Sequence, residues 1–267
     1  MKWVYSILAV LVVICVAWNV SLYLSFDKET LSNYLFNLGY TSFHVLGAGV
    51  AWWGIRRYHL SSTLGKSLAC YGLAMVSYTI ALGIWTFYNV VLQQPSPYPG
   101  VPDLFFVLFY PFAAAGLVFL TQSFGGKFTW RSVIETVILF GLLFAMLYSF
   151  LVQGSLGDDL PWLTRLLNML YPALDALLAA LAITAIRTEK GALHPNLLLI
   201  AFASLVMAAA DTIFSYRSTN GTYWNGDVAD TLYMVSAILF ALAIAANVFK
   251  PKKTGLPNSA KLSPPAQ

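Results

Sequence analysis

The chain has 267 residues, of which 59% are hydrophobic and 10% charged, against roughly a quarter charged in an ordinary soluble domain. That deficit excludes a soluble globular protein. The apolar residues arrive in runs of about 20, the length of helix that crosses a hydrocarbon core ~30 Å thick. The net charge of +4 does not point to nucleic acid, because no basic face interleaved with aromatics occurs.

Eight transmembrane spans are predicted near 4–25, 32–55, 67–92, 102–121, 132–152, 163–186, 196–215 and 229–249. The first has Lys2 ahead of it and a loosely signal-like Cys15-Val16-Ala17. Its apolar stretch outruns the 7–15 residues of a signal h-region, so it reads as a retained helix. In the second, Asn37, Tyr40 and His44 stand at i, i+3 and i+7, hence on one helix face. The third ends in an uncharged loop, 93–102, with four prolines in ten residues. Such a loop cannot be helical. The fourth opens on Asp103, and the sixth carries Arg165, Asn168, Tyr171 and Asp175 along one stripe. Pro111 and Pro172, behind Tyr110 and Tyr171, are each expected to kink their helix locally.

Asp211 lies 15 residues beyond Asn196, about 22 Å up the seventh span at 1.5 Å per residue. The loop 218–227 holds the turn signals Asn220-Gly221 and Asn225-Gly226 beside Tyr223 and Trp224. Together with the proline loop it is expected to cover a vestibule, or else to supply an interfacial aromatic belt. The eighth span opens on Asp230, and residues 251–267 read as a disordered cytoplasmic tail.

The basic residues set the orientation. One side of the predicted topology holds Lys2, Arg56, Arg57, Lys66, Lys127, Arg131, Arg187, Lys190, Lys250, Lys252, Lys253 and Lys261. The other holds only Lys28, Arg165 and Arg217, alongside Asp27, Glu29, Asp158, Asp159 and Asp227. Twelve against three predicts a cell-membrane protein with both termini cytoplasmic and acidic loops outward. Cys15 and Cys70 fall at different depths, so a disulfide is not expected, and no Cys spacing suggests a metal.

An internal repeat is visible. Residues 36–57 align without gaps to 167–188 at an offset of 131, pairing Asn37 with Asn168, Tyr40 with Tyr171 and Arg56 with Arg187. Asp103 and Asp230 open their spans in corresponding places. The expected architecture is all-α, with a four-helix half in 1–125 and a second in 126–250. An even number of helices per half makes the halves parallel.

Counting 12 residues back from Arg56 or Arg187 puts His44 and Asp175 about 18 Å from the cytoplasmic end. With Asp103, Asp211 and Asp230 they form an ionisable group in the outer half of the membrane. A carboxylate facing lipid costs several kcal/mol, so these groups face the bundle interior, a water-filled vestibule or a partner. Asp175 and Asp211 are expected to hold a proton or to pair with Arg165, Arg217 or His44. Two readings stand: hydrogen-bonding glue between Ala-rich helix faces, or the floor of an outward-open site for a cation, proton or small polar ligand. The candidate ligand-binding residues are Asp103, Asp175, Asp211, Asp230, His44, Tyr40, Tyr171 and Arg165.

The Pro-Ser-Pro loop leading to Asp103, Tyr110-Pro111, Tyr171-Pro172 with Asp175, Ala210-Asp211, and Tyr223 followed by Asp230 together resemble a bacterial family. It is the multi-spanning N-terminal membrane region of many diguanylate cyclases, cyclic-di-GMP phosphodiesterases and sensor histidine kinases. The resemblance is clearest from about 95 to 246. It implies a sensory or binding role on the outer side, without naming a ligand. The 17 residues after the eighth span hold no GGDEF, EAL or kinase module, so output is expected to pass to a separate protein partner.

Three functions remain open. One is a membrane sensor or ligand-binding module, the second a small ion- or proton-coupled transporter, and the third an accessory subunit of a larger complex. An enzyme is not expected, since HExxH, GxSxG and P-loop motifs are missing and His44 is the only histidine deep in a span. No lysine lies deep enough for a retinal Schiff base. The cofactor is left unknown, and the expected partners are the lipid bilayer and a protein in the membrane or cytoplasm.

Overall fold

The computed structural model describes residues 2–151, 160–188 and 194–249. Asp158, Asp159, Lys190, Lys250, Lys252, Lys253, Lys261 and the predicted tail lie outside the described residues. Among those described there are eight α-helices and no strand: α1 (Lys2–Leu24), α2 (Leu31–Tyr58), α3 (Thr63–Val90), α4 (Val101–Ser123), α5 (Trp130–Leu151), α6 (Trp162–Thr188), α7 (Pro195–Thr219) and α8 (Val228–Val248).

The helix starts have local causes. Thr30 caps α2 through the Asn33 N–H, and the Asn33 side chain returns a bond to the Thr30 backbone. Ser62 caps α3 through Gly65, and Asp227 caps α8 through Ala229. Pro102 and Pro195 occupy first-turn positions in α4 and α7, where a missing N–H costs nothing. Pro111 and Pro172 sit inside α4 and α6, which continue past them.

Seven helices are long and apolar enough to cross a membrane. The exception is α2, whose stripe of Asn, Tyr, Thr and His lowers its hydropathy. That stripe is turned inward: Asn33, Asn37, Tyr40 and His44 are all buried. A helix packed on α1, α3 and α8 has only part of its surface left to present to lipid. Large apolar side chains stand exposed along α1 (Ile7, Val10, Val13, Ile14) and α5 (Val137, Ile138, Leu142, Met146). Water would not tolerate faces of that kind. The helices support a multi-pass membrane protein.

The bundle centre is built from α2, α3, α4, α6, α7 and α8, with α1 and α5 at its periphery. Helices in lipid associate by close packing rather than by a hydrophobic drive, and small residues permit it. Ala237, Ala241, Ala243 and Ala245 on α8, and Ala180, Ala182 and Ala185 on α6, are almost fully enclosed. Larger rings fill the middle, where Phe109 stacks edge-on against Tyr78, Tyr110 and Phe240. Cys15 and Cys70 are both free.

Gly54 marks a close approach of α2 to α3 and α8. A Cβ there would lie 2.5 Å from a Val248 methyl and 2.6 Å from a Leu68 methyl. Gly54→Ile is therefore expected to destabilise the bundle by about 1–3 kcal/mol through overpacking. Gly49, with open space around the same vector, is the control: Gly49→Ile should leave detergent unfolding nearly unchanged. Equal behaviour of the two variants would contradict the close three-helix contact.

Candidate functional site

One end of the bundle, where α1–α2, α3–α4 and α7–α8 connect, contains a cavity of about 520 Å³. Its walls come from the N-terminal halves of α2, α4, α6 and α8, the C-terminal halves of α3 and α7, and the loops at Tyr98 and Tyr223. Seven tyrosines and three aspartates line it.

Asp103 and Asp230 reach the wall by the same local device. Each is the third residue of its helix, and each bends back to a glycine N–H: Gly100 to Asp103 Oδ2 at 2.7 Å, Gly226 to Asp230 Oδ2 at 2.6 Å. This is the acceptor position where orphan N–H groups and the helix macrodipole favour a negative charge. Gly226 has φ +101°, and a Cβ would meet a Leu22 methyl at 2.6 Å. Glycine is required there.

Each aspartate also accepts from a tyrosine of the other half of the chain. Tyr40 of α2 donates to Asp230 at 3.3 Å, and Tyr171 of α6 donates to Asp103 at 2.8 Å. Tyr223 adds a third bond to Asp230, at 3.0 Å. The amides of the repeat follow the same plan. Asn37 donates to Asn225 Oδ1 at 2.7 Å, while Asn168 Oδ1 accepts from Tyr98 at 2.6 Å.

Asp211 on α7 lines the cavity, whereas Asp175 on α6 sits behind it at 3% exposure. The Tyr110 hydroxyl lies between them, 2.8 Å from Asp175 Oδ1 and 2.8 Å from Asp211 Oδ2. Tyr233 donates to the other oxygen of Asp211. A tyrosine hydroxyl carries one proton, so it can donate to only one of the two carboxyls. The second contact is a hydrogen bond only if the other carboxyl brings a proton of its own. Tyrosines, rather than the expected basic groups, thus satisfy this pair.

Arg217 pairs instead with Asp227, at 2.6 Å, and donates to the Thr222 carbonyl. Burial pushes the Asp227 carboxyl above its ordinary range, opposed by the Ala229 N–H and by Arg217. His44 is 1% exposed, stacked on Tyr78 with ring centroids 4.6 Å apart, and is not among the cavity-lining residues. It lies one turn beyond Tyr40, deeper than the cavity reaches. Arg165 is partly buried in the first turn of α6, outside the lining.

Of the eight residues expected at a site, Tyr40, Asp103, Tyr171, Asp211 and Asp230 come together at the cavity, and Asp175, His44 and Arg165 do not line it. Tyr110, Tyr233, Asn225 and Trp85 stand outside that expected set. Tyr110 is seven residues after Asp103 and Tyr233 three after Asp230, spacings that place each on its aspartate's face. That signal was available. Asn225 reads as a turn residue, yet its side-chain oxygen accepts from both Asn37 and Trp85. Compared with family models, curated proteins and solved structures, the chain finds no match.

Proposed function

We propose that this chain is an integral membrane ligand-binding module of the sensory kind. In this reading α2 is an eighth span, the cavity end faces outward, and both termini are in the cytoplasm of a cell whose membrane it crosses. The observation that carries the reading is the cavity, whose volume of about 520 Å³ falls within the 300–1,000 Å³ usual for small-molecule sites. The outward direction rests on the bias of lysine and arginine toward the opposite end. The sensory assignment, with output through a separate protein partner, follows the family resemblance.

Two parallel four-helix halves are supported by the reciprocal bonds Tyr40–Asp230 and Tyr171–Asp103. The helix pairings agree: α1–α2, α2–α3 and α3–α4 recur as α5–α6, α6–α7 and α7–α8, and α2–α8 is matched by α6–α4.

A small-molecule library screened by thermal shift tests the reading, using the full chain and the cavity-filling variant Leu82→Trp. A ligand at 100 times its Kd stabilises by about 2.7 kcal/mol. Hits should stabilise the parent and lose their effect in the variant. Hits indifferent to Leu82→Trp, or none at all, would count against a binding cavity.

One observation favours a second reading, a proton-coupled carrier: the Tyr110 hydroxyl held between two carboxyls. Substrate flux in reconstituted vesicles, driven by a pH gradient and lost in Asp211→Asn, would displace the sensor reading.

A further inference from the structure

The chemistry of the cavity wall narrows what can occupy it, on the premise that the cavity is a binding site. Asp103, Asp211 and Asp230 line it, and among the described residues no lysine, arginine or histidine does. An anion would meet carboxyl groups with no counter-charge. Asp103 and Asp230 stand at helix N-termini and accept N–H and O–H donors. A carboxylate offers about four acceptor positions, so each keeps capacity for another donor.

Two further features have the same sense. Trp85, Phe106 and Phe214 join the tyrosines in the wall, and aromatic faces attract cations. Asn37 lines the cavity at 1% exposure, and its Oδ1 has no hydrogen-bond partner while its Nδ2 is held by Asn225. A buried acceptor left without a donor is unfavourable, and this one calls for a ligand that donates. A bare metal ion does not fit. No group of three or more His, Cys, Asp or Glu among the described residues could hold one, and it would leave most of the 520 Å³ unfilled.

We propose that the cavity binds a small organic cation, a protonated amine whose ammonium group lies between Asn37 and Asp230 and whose apolar body lies against Trp85 and Phe214. An ammonium has N–H donors for the free Asn37 oxygen and charge for Asp230, and it carries no acceptor to leave unsatisfied.

Isothermal titration of the full chain in detergent micelles tests this with four probes of one shape: phenethylamine, its N,N,N-trimethyl derivative, 2-phenylethanol and 3-phenylpropanoate. Phenethylamine should bind about tenfold or more tighter than 2-phenylethanol, and 3-phenylpropanoate should not bind. Asn37→Leu should weaken phenethylamine more than the trimethylammonium form, which has no N–H. Asp230→Asn should weaken both cations several-fold and leave the alcohol unchanged. If these variants fail to fold, the ranking on the parent protein still decides. Binding of the alcohol or the carboxylate as tightly as the amine overturns the cation assignment and leaves the cavity a binding site. Failure of all four probes overturns the cation assignment and counts against the binding site as well.

Discussion

Asp230→Ala is expected to cost the bundle about 3 kcal/mol, on the scale of 1–3 kcal/mol for each buried donor left unpaired. The carboxylate accepts from Tyr40, Tyr223 and the Gly226 N–H, which join α2, the last connection and α8. Alanine would strand all three donors at a position with 2% exposure. Interhelical hydrogen bonds in membranes average near 0.6 kcal/mol, so a single lost bond would be a small effect. Asp230 serves three donors, one of them a backbone N–H that sets the start of a helix. Unfolding by SDS titration measures the cost, with Asp230→Asn, which keeps one acceptor oxygen, expected to fall between. If the alanine variant unfolds with the parent, the tyrosine–aspartate junction contributes nothing to holding that end together.

Tyr110→Phe should have the second largest effect, about 2–3 kcal/mol, since hydrogen bonds to charged groups carry roughly 1.5–3 kcal/mol. The change removes the one hydroxyl that both Asp175 and Asp211 contact and leaves two carboxyls facing a ring edge. Adding Asp175→Asn should recover part of the loss, because an amide can donate to Asp211 in place of the missing hydroxyl. The double-mutant cycle should therefore show a coupling of about 1 kcal/mol or more, as expected for residues in one network. Additive effects would mean that Tyr110 acts by packing against Phe109 rather than by bridging the carboxyls.

Much of the helical layout is legible in the sequence, because several helix starts are written in neighbouring residues. Thr30, Ser62 and Asp227 cap their helices from within four residues, and Asp103 and Asp230 announce the two helix starts at the cavity. The polarity of α2 is legible too, but hydropathy alone does not say that its polar stripe is enclosed by α1, α3 and α8. The site is only half legible. Periodicity gives the face on which Tyr40, His44, Tyr171 and Asp175 lie. It does not give the depth at which rings from other helices close the cavity floor. Tyr78 and Tyr110 set that depth, so His44 and Asp175 fall one turn too far in. Nor could any local pattern give Asn225 its role, because its partners are 188 and 140 residues away along the chain.

Two of the tyrosine–aspartate bonds at the cavity, Tyr40–Asp230 and Tyr171–Asp103, run in opposite directions between the first four helices and the last four, and Tyr110 of α4 adds a third crossing to Asp211 of α7. Any occupant drawn to Asp230 competes with a hydroxyl belonging to the other half, and one drawn to Asp103 does the same on the opposite wall. An off-centre occupant would slacken one strut while its counterpart stays fastened. Loosening either of the first two bonds alone leaves the first four helices fastened to the last four at the remaining crossings.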